Sequence, residues 1–315
     1  MVANSLKVAF QMDPMESLNI EGDSTFALML EAQKRRHKLW HYDVNDMTYE
    51  HGNVFALSRP VTVRPEKGDH FTFGAPEIIN LRDMDVIWMR QDPPFDMAYI
   101  TATHLLELIA DETLVLNNPA EVRNAPEKLF VIKFRDLMPA TMITRREEDV
   151  RAFRRKHNEI IVKPLYGNGG TGVFHLKEGD SNLGSLMEMF LENTREPVMI
   201  QEFLPEVVRG DKRIILVDGE AVGAINRVPA DGEIRSNLVA GGKAERSALT
   251  PREQEICEAL KPELKKRGLL FVGIDVIGDW LTEINVTSPT GIMAVNEFDG
   301  VSLGATIWNA VEAKV

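Results

Sequence analysis

Residues 269–289 read LLFVGIDVIGDWLTEINVTSP, two apolar runs separated by the turn dipeptide Gly278-Asp279. This dipeptide can fold the runs into an antiparallel hairpin, and strand alternation then puts Glu283 and Asn285 on one face. Asp275 can lie on the neighbouring strand, so acid groups stand where a core is expected. Buried carboxylates are costly unless they are paired or bound to a cation, and oxygen ligands suit magnesium carried in with a nucleotide's phosphates. The stretch therefore predicts an ATP-using enzyme.

The composition limits the class of protein. A length of 315 residues exceeds the usual size of a single core, so we expect two or three subdomains that share clefts. The net charge of −12 and the lack of a basic tract disfavour nucleic acid as a partner. Neither a secretory segment nor a run of transmembrane length is visible, which predicts a cytoplasmic protein without a membrane partner.

Cysteine and histidine carry little of the predicted chemistry. Cys257, the only cysteine, falls among apolar positions of a helical segment at 252–267 and is interpreted as core packing. The seven histidines show no ligand spacing, and His37 and His41, at the end of a charged helix, are predicted at the surface. No nucleophile elbow appears, so a Ser-His-Asp hydrolase is not expected.

The first third of the chain alternates apolar runs with helical patterns, which predicts an open α/β sheet. Ligands of such sheets lie beyond the carboxyl ends of the strands, where the loops 12–14 and 90–96 would sit. Residues 45–80 are rich in Gly, Pro and charge, with short β-prone pieces at 54–57 and 71–73. They are interpreted as an excursion of little importance to the chemistry.

The rest of the chain divides near residue 124. Helical and strand patterns up to 203 predict a compact α+β unit, and a hairpin follows around Asp218-Gly219. A glycine-containing loop at about 228–249 precedes Thr250-Pro251-Arg252-Glu253, which predicts a helix start with a capping box. Ser302 is predicted to cap a final helix.

A glycine loop stands in the middle of the chain, where residues 160–173 read IIVKPLYGNGGTGV. Glycines let backbone N–H groups close on phosphate oxygens, and Lys163 can add a positive charge. The lysine precedes the glycines and strands flank the loop on both sides, which rejects a Walker-type P-loop. Taken alone, the motif fits a plain hairpin with a Gly-rich turn equally well.

In combination, these segments resemble the ATP-grasp superfamily and, more closely, the bacterial glutathione synthetases. The resemblance spans nearly the whole chain and is carried by residues 12–14, 23–27, 89–96, 124, 127–130, 210–213, 235–242, 271–275 and 282–290. It implies an ATP-grasp fold, of mixed α/β and α+β class, with three domains. These are an N-terminal open α/β (pre-ATP-grasp) domain at 1–123, a central lid domain at 124–203 and a C-terminal mixed-sheet domain at 204–315 that holds the mobile loop 228–249.

The resemblance also implies the nucleotide site, a cleft between the central and C-terminal domains. The implied ATP-binding residues are Lys128, Lys163, Gly167, Asn168, Gly169, Gly170, Gln201, Glu202, Leu204 and Asp211. The implied ligands of Mg²⁺, with Mn²⁺ as the alternative, are Asp275, Glu283 and Asn285. Taken alone, Lys128 would be an exposed helix lysine and residues 201–204 a strand end.

The implied reaction joins γ-glutamylcysteine to glycine through an acyl phosphate, giving glutathione, ADP and phosphate. Arginines and magnesium suit it because they stabilise the charge on a transferring phosphoryl group. The catalytic candidates are Arg213, Arg227 and Arg235, with surface ion pairs as the alternative for the first two. The loop 228–249 would close as a lid that excludes water, the alternative being a disordered connection.

The substrate-binding candidates are Asp13, Asn19, Ser24, Arg90, Ser288, Gly241 and Gly242. Arg90 would pair with a peptide carboxylate, and Ser24 would serve equally well as a helix cap. One departure from the family is the segment Ile292-Met293-Ala294, where relatives often place a basic residue. The resemblance further implies a homotetramer.

Two other functions remain open. Another ATP-grasp carboxylate–amine ligase, of the D-alanine–D-alanine or amino-acid-adding type, would share the ATP machinery and differ mainly at residues 89–96 and 235–242. A non-catalytic ATP-binding regulator is disfavoured, because retention of a nucleotide does not require Arg213 together with the three metal-ligand candidates.

Overall fold

The computed structural model describes residues 5–167, 169–230, 232, 233, 235, 236 and 241–315. Asn168 of the glycine loop and residues 231, 234 and 237–240 of the expected lid lie outside the described residues. Within the described ranges the strands form three sheets, called here the first, second and third sheet in chain order.

The first sheet is the open α/β sheet that the sequence predicts. Its order is β3-β4-β2-β1-β7-β8, with β5 and β6 paired to β4, and β1, β2, β7 and β8 run parallel. The strands are β1 (Lys7–Gln11), β2 (Lys38–Tyr42), β3 (Met47–Glu50), β4 (Asn53–Val63), β5 (Phe71–Phe73), β6 (Glu77–Asn80), β7 (Val86–Met89) and β8 (Leu114–Leu116). The helices of this part are α1 (Ser24–Lys34), α2 (Met97–Glu107) and α3 (Pro119–Arg123).

The interpretation of residues 45–80 as an excursion is wrong in structural terms. The eleven-residue β4 pairs with β2 at His41 and with β3, β5 and β6 elsewhere, so this segment widens the first sheet. The reason is the alternation of β4, whose residues Val54, Ala56 and Ser58 are buried while Leu57 and Arg59 are exposed.

The second sheet is antiparallel, in the order β11-β10-β12-β9. Its strands are β9 (Thr141–Thr144), β10 (Ile160–Pro164), β11 (Phe174–Leu176) and β12 (Val198–Glu202). The short α4 (Glu127–Phe130) precedes it, and α5 (Glu147–His157) and α6 (Leu183–Asn193) cover one face. Ile160, Val162 and Ile200 point into that helix-covered core. The alternate residues Lys163 and Gln201 therefore point to the opposite face.

The third sheet carries the predicted hairpin. Its order is β15-β14-β13-β16-β17, all antiparallel, with β13 (Asp211–Val217), β14 (Glu220–Val228), β15 (Lys243–Arg246), β16 (Phe271–Ile277) and β17 (Trp280–Asn285). Asp275 stands opposite Glu283, as the hairpin predicts. Residues 228–249 were expected to form a loop, but β15 lies inside that range and pairs with β14, so the expectation is wrong for residues 243–246.

The remaining helices confirm the predicted starts. Helix α7 (Pro251–Lys266) has the complete capping box of Thr250 and Glu253, and Ser302 caps α9 (Leu303–Glu312). Helix α8 (Ile292–Asp299) lies between them. No helix in the described part of the chain is both long and apolar enough to cross a membrane.

Two apolar clusters join the first and third sheets, whereas the second sheet has a cluster of its own. Asn117, after β8, reinforces the junction, because its Nδ2 donates to the carbonyls of Phe271 and Val286, each at 2.7 Å. Cys257 is buried in the first of these clusters, as predicted. The surface prediction for His37 and His41 is wrong, since both are buried, and Trp308 of α9 packs against His37.

Candidate active site

A cavity of about 350 Å³ lies between the second and third sheets. Lys163 and Gln201 reach it from the second sheet, because strand alternation turns them away from the helix-covered core. Arg213 and Asp275 reach it from the third sheet, and Asp92 of the loop after β7 borders it as well. The cleft that the resemblance implied is therefore present.

The third-sheet wall is built around Asp275. Arg213, its partner across β13 and β16, donates from Nε to Oδ1 at 2.5 Å and from Nη2 to Oδ2 at 2.9 Å. Arg227 Nη2 lies 3.0 Å from Oδ1. Burial alone would raise the pKa of Asp275, but the two guanidinium groups outweigh it and hold the pKa well below its usual range. The two arginines, fourteen residues apart in sequence, thus meet on one carboxylate.

Glu283 faces two lysines. Its Oε1 lies 3.6 Å from the Nζ atoms of both Lys128 and Lys163, one from α4 and one from β10. Burial opposes ionisation of Glu283, yet these ammonium groups keep its pKa below the usual value. Lys128 is only 3% exposed and donates to the carbonyl of Gly167 at 2.6 Å, so it is not an exposed helix lysine.

Two further carboxyl groups of the site, those of Glu127 and Asp211, have raised pKa values. Burial, followed by repulsion from Glu283, raises the pKa of Glu127 to about 7. Burial raises the pKa of Asp211 to about 6, although Arg227 opposes the shift. Asp211 Oδ2 accepts from Arg227 Nη2 at 2.5 Å and from Ser236 Oγ at 3.0 Å, while Oδ1 is buried without a hydrogen-bond partner among the described residues.

Glu127 and Ser236 are members of the site that the sequence did not single out. Glu127 stands next to Lys128 and contacts it, so its position in the motif was the available signal. Ser236 follows Arg235 in the segment 235–242, which was the available signal, but its contact with Asp211 joins segments 25 residues apart and was not visible in the sequence.

The metal-ligand candidates provide the oxygen donors that a hard divalent cation prefers. Asp275 and Glu283 are cross-strand partners, and Asn285 donates from Nδ2 to Asp275 Oδ2 at 3.2 Å. Across the ranges described, no group of three His, Cys, Asp or Glu side chains is arranged as a metal shell, and Asp275 is paired with Arg213. A cation that arrives with phosphates needs only a few protein ligands, so the residues fit one that enters with a nucleotide.

The cavity continues from the charged groups into an apolar part. Ile161 and Gln201, cross-strand partners on β10 and β12, line it together with Leu204. Glu202 also borders the cavity, but its side chain lies on the helix-covered face with Oε2 3.4 Å from His157 Nδ1. Only the main chain of Glu202 is therefore left to border a ligand.

The glycine loop lies at the edge of the same cavity, which Gly167, Gly169 and Gly170 line. A Cβ on Gly167 would stand 2.8 Å from Pro164 Cγ, and Gly169 and Gly170 have positive φ angles of 61° and 73°. These positions require glycine for steric and conformational reasons. Asn168 lies outside the described residues.

The substrate-side candidates fall into three groups: near the cavity, behind it and nearer the surface. Ser288 lines the cavity and donates from Oγ to Asp92 Oδ1 at 2.8 Å, and the Asp92 N–H donates to Asp13 Oδ2 at 2.8 Å. Arg90 and Ser24 are buried outside the cavity lining, so the expected ion pair of Arg90 with a peptide carboxylate is not supported by its position.

Arg90 and Ser24 instead brace the segment after Ser288. Arg90 Nη2 donates to the Pro289 carbonyl at 3.0 Å, and the Ile292 N–H donates to Ser24 Oγ at 3.3 Å. The cap of α1 is Asp23, not Ser24.

The remaining candidates lie nearer the surface. Asn19 is exposed in the turn before α1, where its carbonyl accepts from the Gly22 N–H at 3.0 Å. Arg235 borders the cavity and pairs with Glu233 at 3.2 Å. Gly241, with a φ of 93°, and Gly242 precede β15. Met293, at the departure from the family pattern, packs against an apolar cluster.

Comparisons with solved structures agree on the fold. D-cycloserine synthetase DcsG matches with a TM-score of 0.68 and 15% identity, over 98% of this chain and 99% of that one. The ATP-grasp ligase PsnB complexed with minimal precursor matches with a TM-score of 0.64 and 17% identity, over 99% of this chain and 100% of that one. At such identities the likeness establishes the ATP-grasp fold alone.

Sequence comparisons are more specific. The family model described as "Prokaryotic glutathione synthetase, N-terminal domain" matches residues 6–123, and "Prokaryotic glutathione synthetase, ATP-grasp domain" matches residues 127–300. The glutathione synthetase of Brucella melitensis is 58% identical over 98% of this chain and 99% of its own length. That of Agrobacterium fabrum is 56% identical, over 99% and 98%, and that of Vibrio cholerae is 43% identical, over 98% of each. The chain therefore belongs to the prokaryotic glutathione synthetase family.

Proposed function

We propose that this chain is an ATP-dependent peptide ligase that makes glutathione from γ-glutamylcysteine and glycine. The observation that carries the proposal is the convergence of Lys128, Lys163, Arg213 and Arg227 on the carboxylates of Asp275 and Glu283, in a cavity between two sheets. A cluster of cations from both walls suits phosphoryl transfer, in which positioning and charge stabilisation do most of the work. The named substrates come from the relatives that match along the whole chain.

The reaction proceeds in two balanced steps. The C-terminal carboxylate of γ-glutamylcysteine takes the γ-phosphoryl group of ATP, so an acyl phosphate forms and ADP leaves. The glycine amine then attacks the acyl carbon, the C–O bond to phosphate breaks, and phosphate leaves as the amide forms and the amine loses a proton. Negative charge accumulates in both steps, which preorganised guanidinium and ammonium groups stabilise.

The phosphate end is assigned to the lysines and the glycine loop. Lys128 and Lys163 would bind phosphate oxygens, with N–H groups of Gly167, Gly169 and Gly170 beside them. Glu283 positions both ammonium groups, since it lies 3.6 Å from each. Asp275, Glu283 and Asn285 would hold Mg²⁺, with Mn²⁺ as the alternative, and the ion would supply charge neutralisation between the phosphates.

The arginines are assigned to the transferring group. Arg213 and Arg227 keep a fixed orientation because both are bound to Asp275, and each has further N–H donors for a substrate oxygen. Arg235, half-exposed at the rim, would approach the peptide from the segment 228–249, which we propose acts as the lid.

The ribose and the base of the nucleotide are assigned to the part of the cavity beyond the lysines. Oδ1 of Asp211, which has no hydrogen-bond partner among the described residues, would accept from a ribose hydroxyl, and this contact would satisfy a buried oxygen. Gln201, Leu204 and the main chain of Glu202 would border the base.

The peptide side and the assembly remain proposals of the same kind. Asp13, Asn19 and Ser288 would border the peptide, with Ser24 and Arg90 supporting the segment after Ser288, and Gly241 and Gly242 would allow the lid to move. We also propose the domain limits 1–123, 124–203 and 204–315, which fall between the sheets, together with a homotetrameric assembly and a cytoplasmic location.

The function is tested by measuring phosphate release from ATP, in the presence of Mg²⁺, with each of a panel of acceptor pairs. We expect release with γ-glutamylcysteine plus glycine, with formation of an equal amount of glutathione measured by mass spectrometry. Turnover with D-alanine alone, and none with γ-glutamylcysteine plus glycine, would overturn the substrate assignment.

A further inference from the structure

Among the described residues that line the apolar part of the cavity, Gln201 contributes a side-chain amide. Its neighbours on the cavity surface are apolar, among them Pro139, Ile161 and Leu204. Along β10, Ile161 precedes Lys163 by two residues, about 6–7 Å of strand, which is a suitable step from the phosphate end of a nucleotide toward its base. Gln201 stands opposite Ile161 and is 4% exposed.

The orientation of this amide is fixed by a chain of hydrogen bonds. Thr141 Oγ1 lies 2.8 Å from the Pro139 carbonyl oxygen, which can only accept, so the hydroxyl proton is committed there. The same hydroxyl oxygen lies 3.0 Å from Gln201 Nε2 and must therefore act as the acceptor. The amide NH₂ group faces Thr141, and Oε1 is left as the amide atom available to a molecule in the cavity. No described residue hydrogen-bonds to that oxygen.

We propose that Thr141 is a positioning residue that sets the choice of nucleobase by holding Gln201 with its oxygen toward the ligand. The proposal rests on the ATP-dependent function proposed above. Adenine carries an amino group at its 6-position, whereas guanine carries a carbonyl oxygen there. An acceptor on the protein pairs with the first and repels the second. A reversed amide would present NH₂ and favour guanine instead, so the identity of the base depends on which way Gln201 points.

The register explains why Thr141 can do this. Thr141 and Gln201 are directly opposed across β9 and β12, so their side chains lie on the same face of the second sheet. Thr141 does not line the cavity, and it therefore acts on a ligand only through Gln201.

The test compares T141V with T141S in the full-length protein. Valine has the shape of threonine but cannot accept from Nε2, so the amide becomes free to turn toward either base. We expect the preference for ATP over GTP, measured as the ratio of kcat/KM values, to fall about tenfold, the worth of one hydrogen bond. The change should fall on KM for the nucleotide and not on kcat. T141S keeps the hydroxyl and should keep the preference.

A second background separates positioning from packing. In Q201M the amide is gone, so adding T141V should leave the ATP-to-GTP ratio as it is in Q201M alone. An equal drop in the Q201M background, or an unchanged ratio in T141V itself, would overturn the proposal. Thermal melting of each variant identifies one that fails to fold, and T141A, which also lacks the hydroxyl, replaces T141V in that case with the same expected loss of preference.

Calorimetric binding of ADP and GDP tests the role of Thr141 in base choice independently of the ligase reaction. The ratio of the GDP to the ADP dissociation constant should fall toward one in T141V and stay as in the wild type in T141S, whether or not peptide is formed. Tight ADP binding without any glutathione formation would refute the proposed function and still test the role of Thr141. Equal affinity of the wild-type chain for ADP and GDP would refute the role of Thr141 alone.

Discussion

Tyr166 of the glycine loop stacks on Phe95 of the loop after β7, with ring centroids 6.1 Å apart and ring planes inclined by 18°. Phe95 also packs on Tyr99 of α2, at 5.2 Å. The loop proposed to cover the phosphates and the loop proposed to border the peptide are thus in direct contact. This contact gives nucleotide binding a route to the peptide side of the cavity.

Y166A should therefore weaken peptide binding in the presence of saturating ATP. An aromatic pair contributes about 0.5–1.5 kcal/mol beyond its buried area, so we expect KM for γ-glutamylcysteine to rise by about two- to tenfold. Y166F keeps the ring and is the matched control. F95A should raise KM similarly, and the double variant should be no worse than either single one. Additive effects in this double-mutant cycle would contradict the coupling.

E283Q should reduce kcat by about a hundredfold. The substitution removes the charge that positions two lysines, and it also removes a proposed metal ligand. The Mg²⁺ concentration that gives half-maximal activity should rise, as measured by a titration of the metal at fixed ATP. E258Q, at a side chain 68% exposed on α7, is the control and should behave as the wild type. Full turnover of E283Q at unchanged Mg²⁺ demand would remove the metal argument.

R90K tests the brace on the segment after Ser288. Arg90 donates from Nε to Thr25 Oγ1 and from Nη2 to the Pro289 carbonyl, and lysine cannot reproduce this fork. We expect kcat/KM for γ-glutamylcysteine to fall about tenfold while KM for ATP stays the same. T25V removes only the contact with Nε and should have the smaller effect. A larger loss in T25V than in R90K would point to Thr25 as the important residue.

Glu127 should make stability depend on pH. Its pKa of about 7 in the folded protein exceeds the ordinary 4.5, so the folded state keeps a proton that the unfolded state releases. The free energy of unfolding should consequently fall as pH rises from about 4.5 to 7, by about 3 kcal/mol at most.

Urea unfolding at pH 5 and pH 8, without nucleotide and with EDTA, measures this loss. E127Q stays neutral and should lose less stability over the same interval. An identical pH dependence in E127Q and the wild type would mean that Glu127 ionises normally.

The strongly patterned parts of the fold were predictable from sequence. The hairpin of β16 and β17 follows from two apolar runs and a turn dipeptide, and the start of α7 follows from its capping box. Strands β3 and β6 were not predicted, because most of their residues are exposed and only pairing with β4 defines them. His37 is covered by α9, whose Glu312 lies 3.1 Å from its Nε2, and no local pattern reveals a helix 275 residues away.

The candidate site divides in the same way. The order of the motifs predicted that lysines, arginines and carboxylates would meet, and the structure brings them into one cavity. The burial of Lys128 depends on the carbonyl of Gly167, a contact across 39 residues. The direction of Glu202 was accessible from strand alternation, since Gln201 next to it must point the other way. The bracing role of Arg90 was not accessible, because its acceptor on Pro289 lies 199 residues away.

The separation of the apolar clusters has a mechanical consequence. The first and third sheets share two clusters and the clamp of Asn117, so together they form one stiff block. The second sheet has its own core and meets this block mainly across the cavity, through charged and polar groups. Besides the groups at the cavity, the Tyr166–Phe95 stack also joins the second-sheet side to the first sheet. A nucleotide bound at this seam would contact both bodies at once, so the same ligand that fills the cavity would also tie the second sheet to the rest of the molecule.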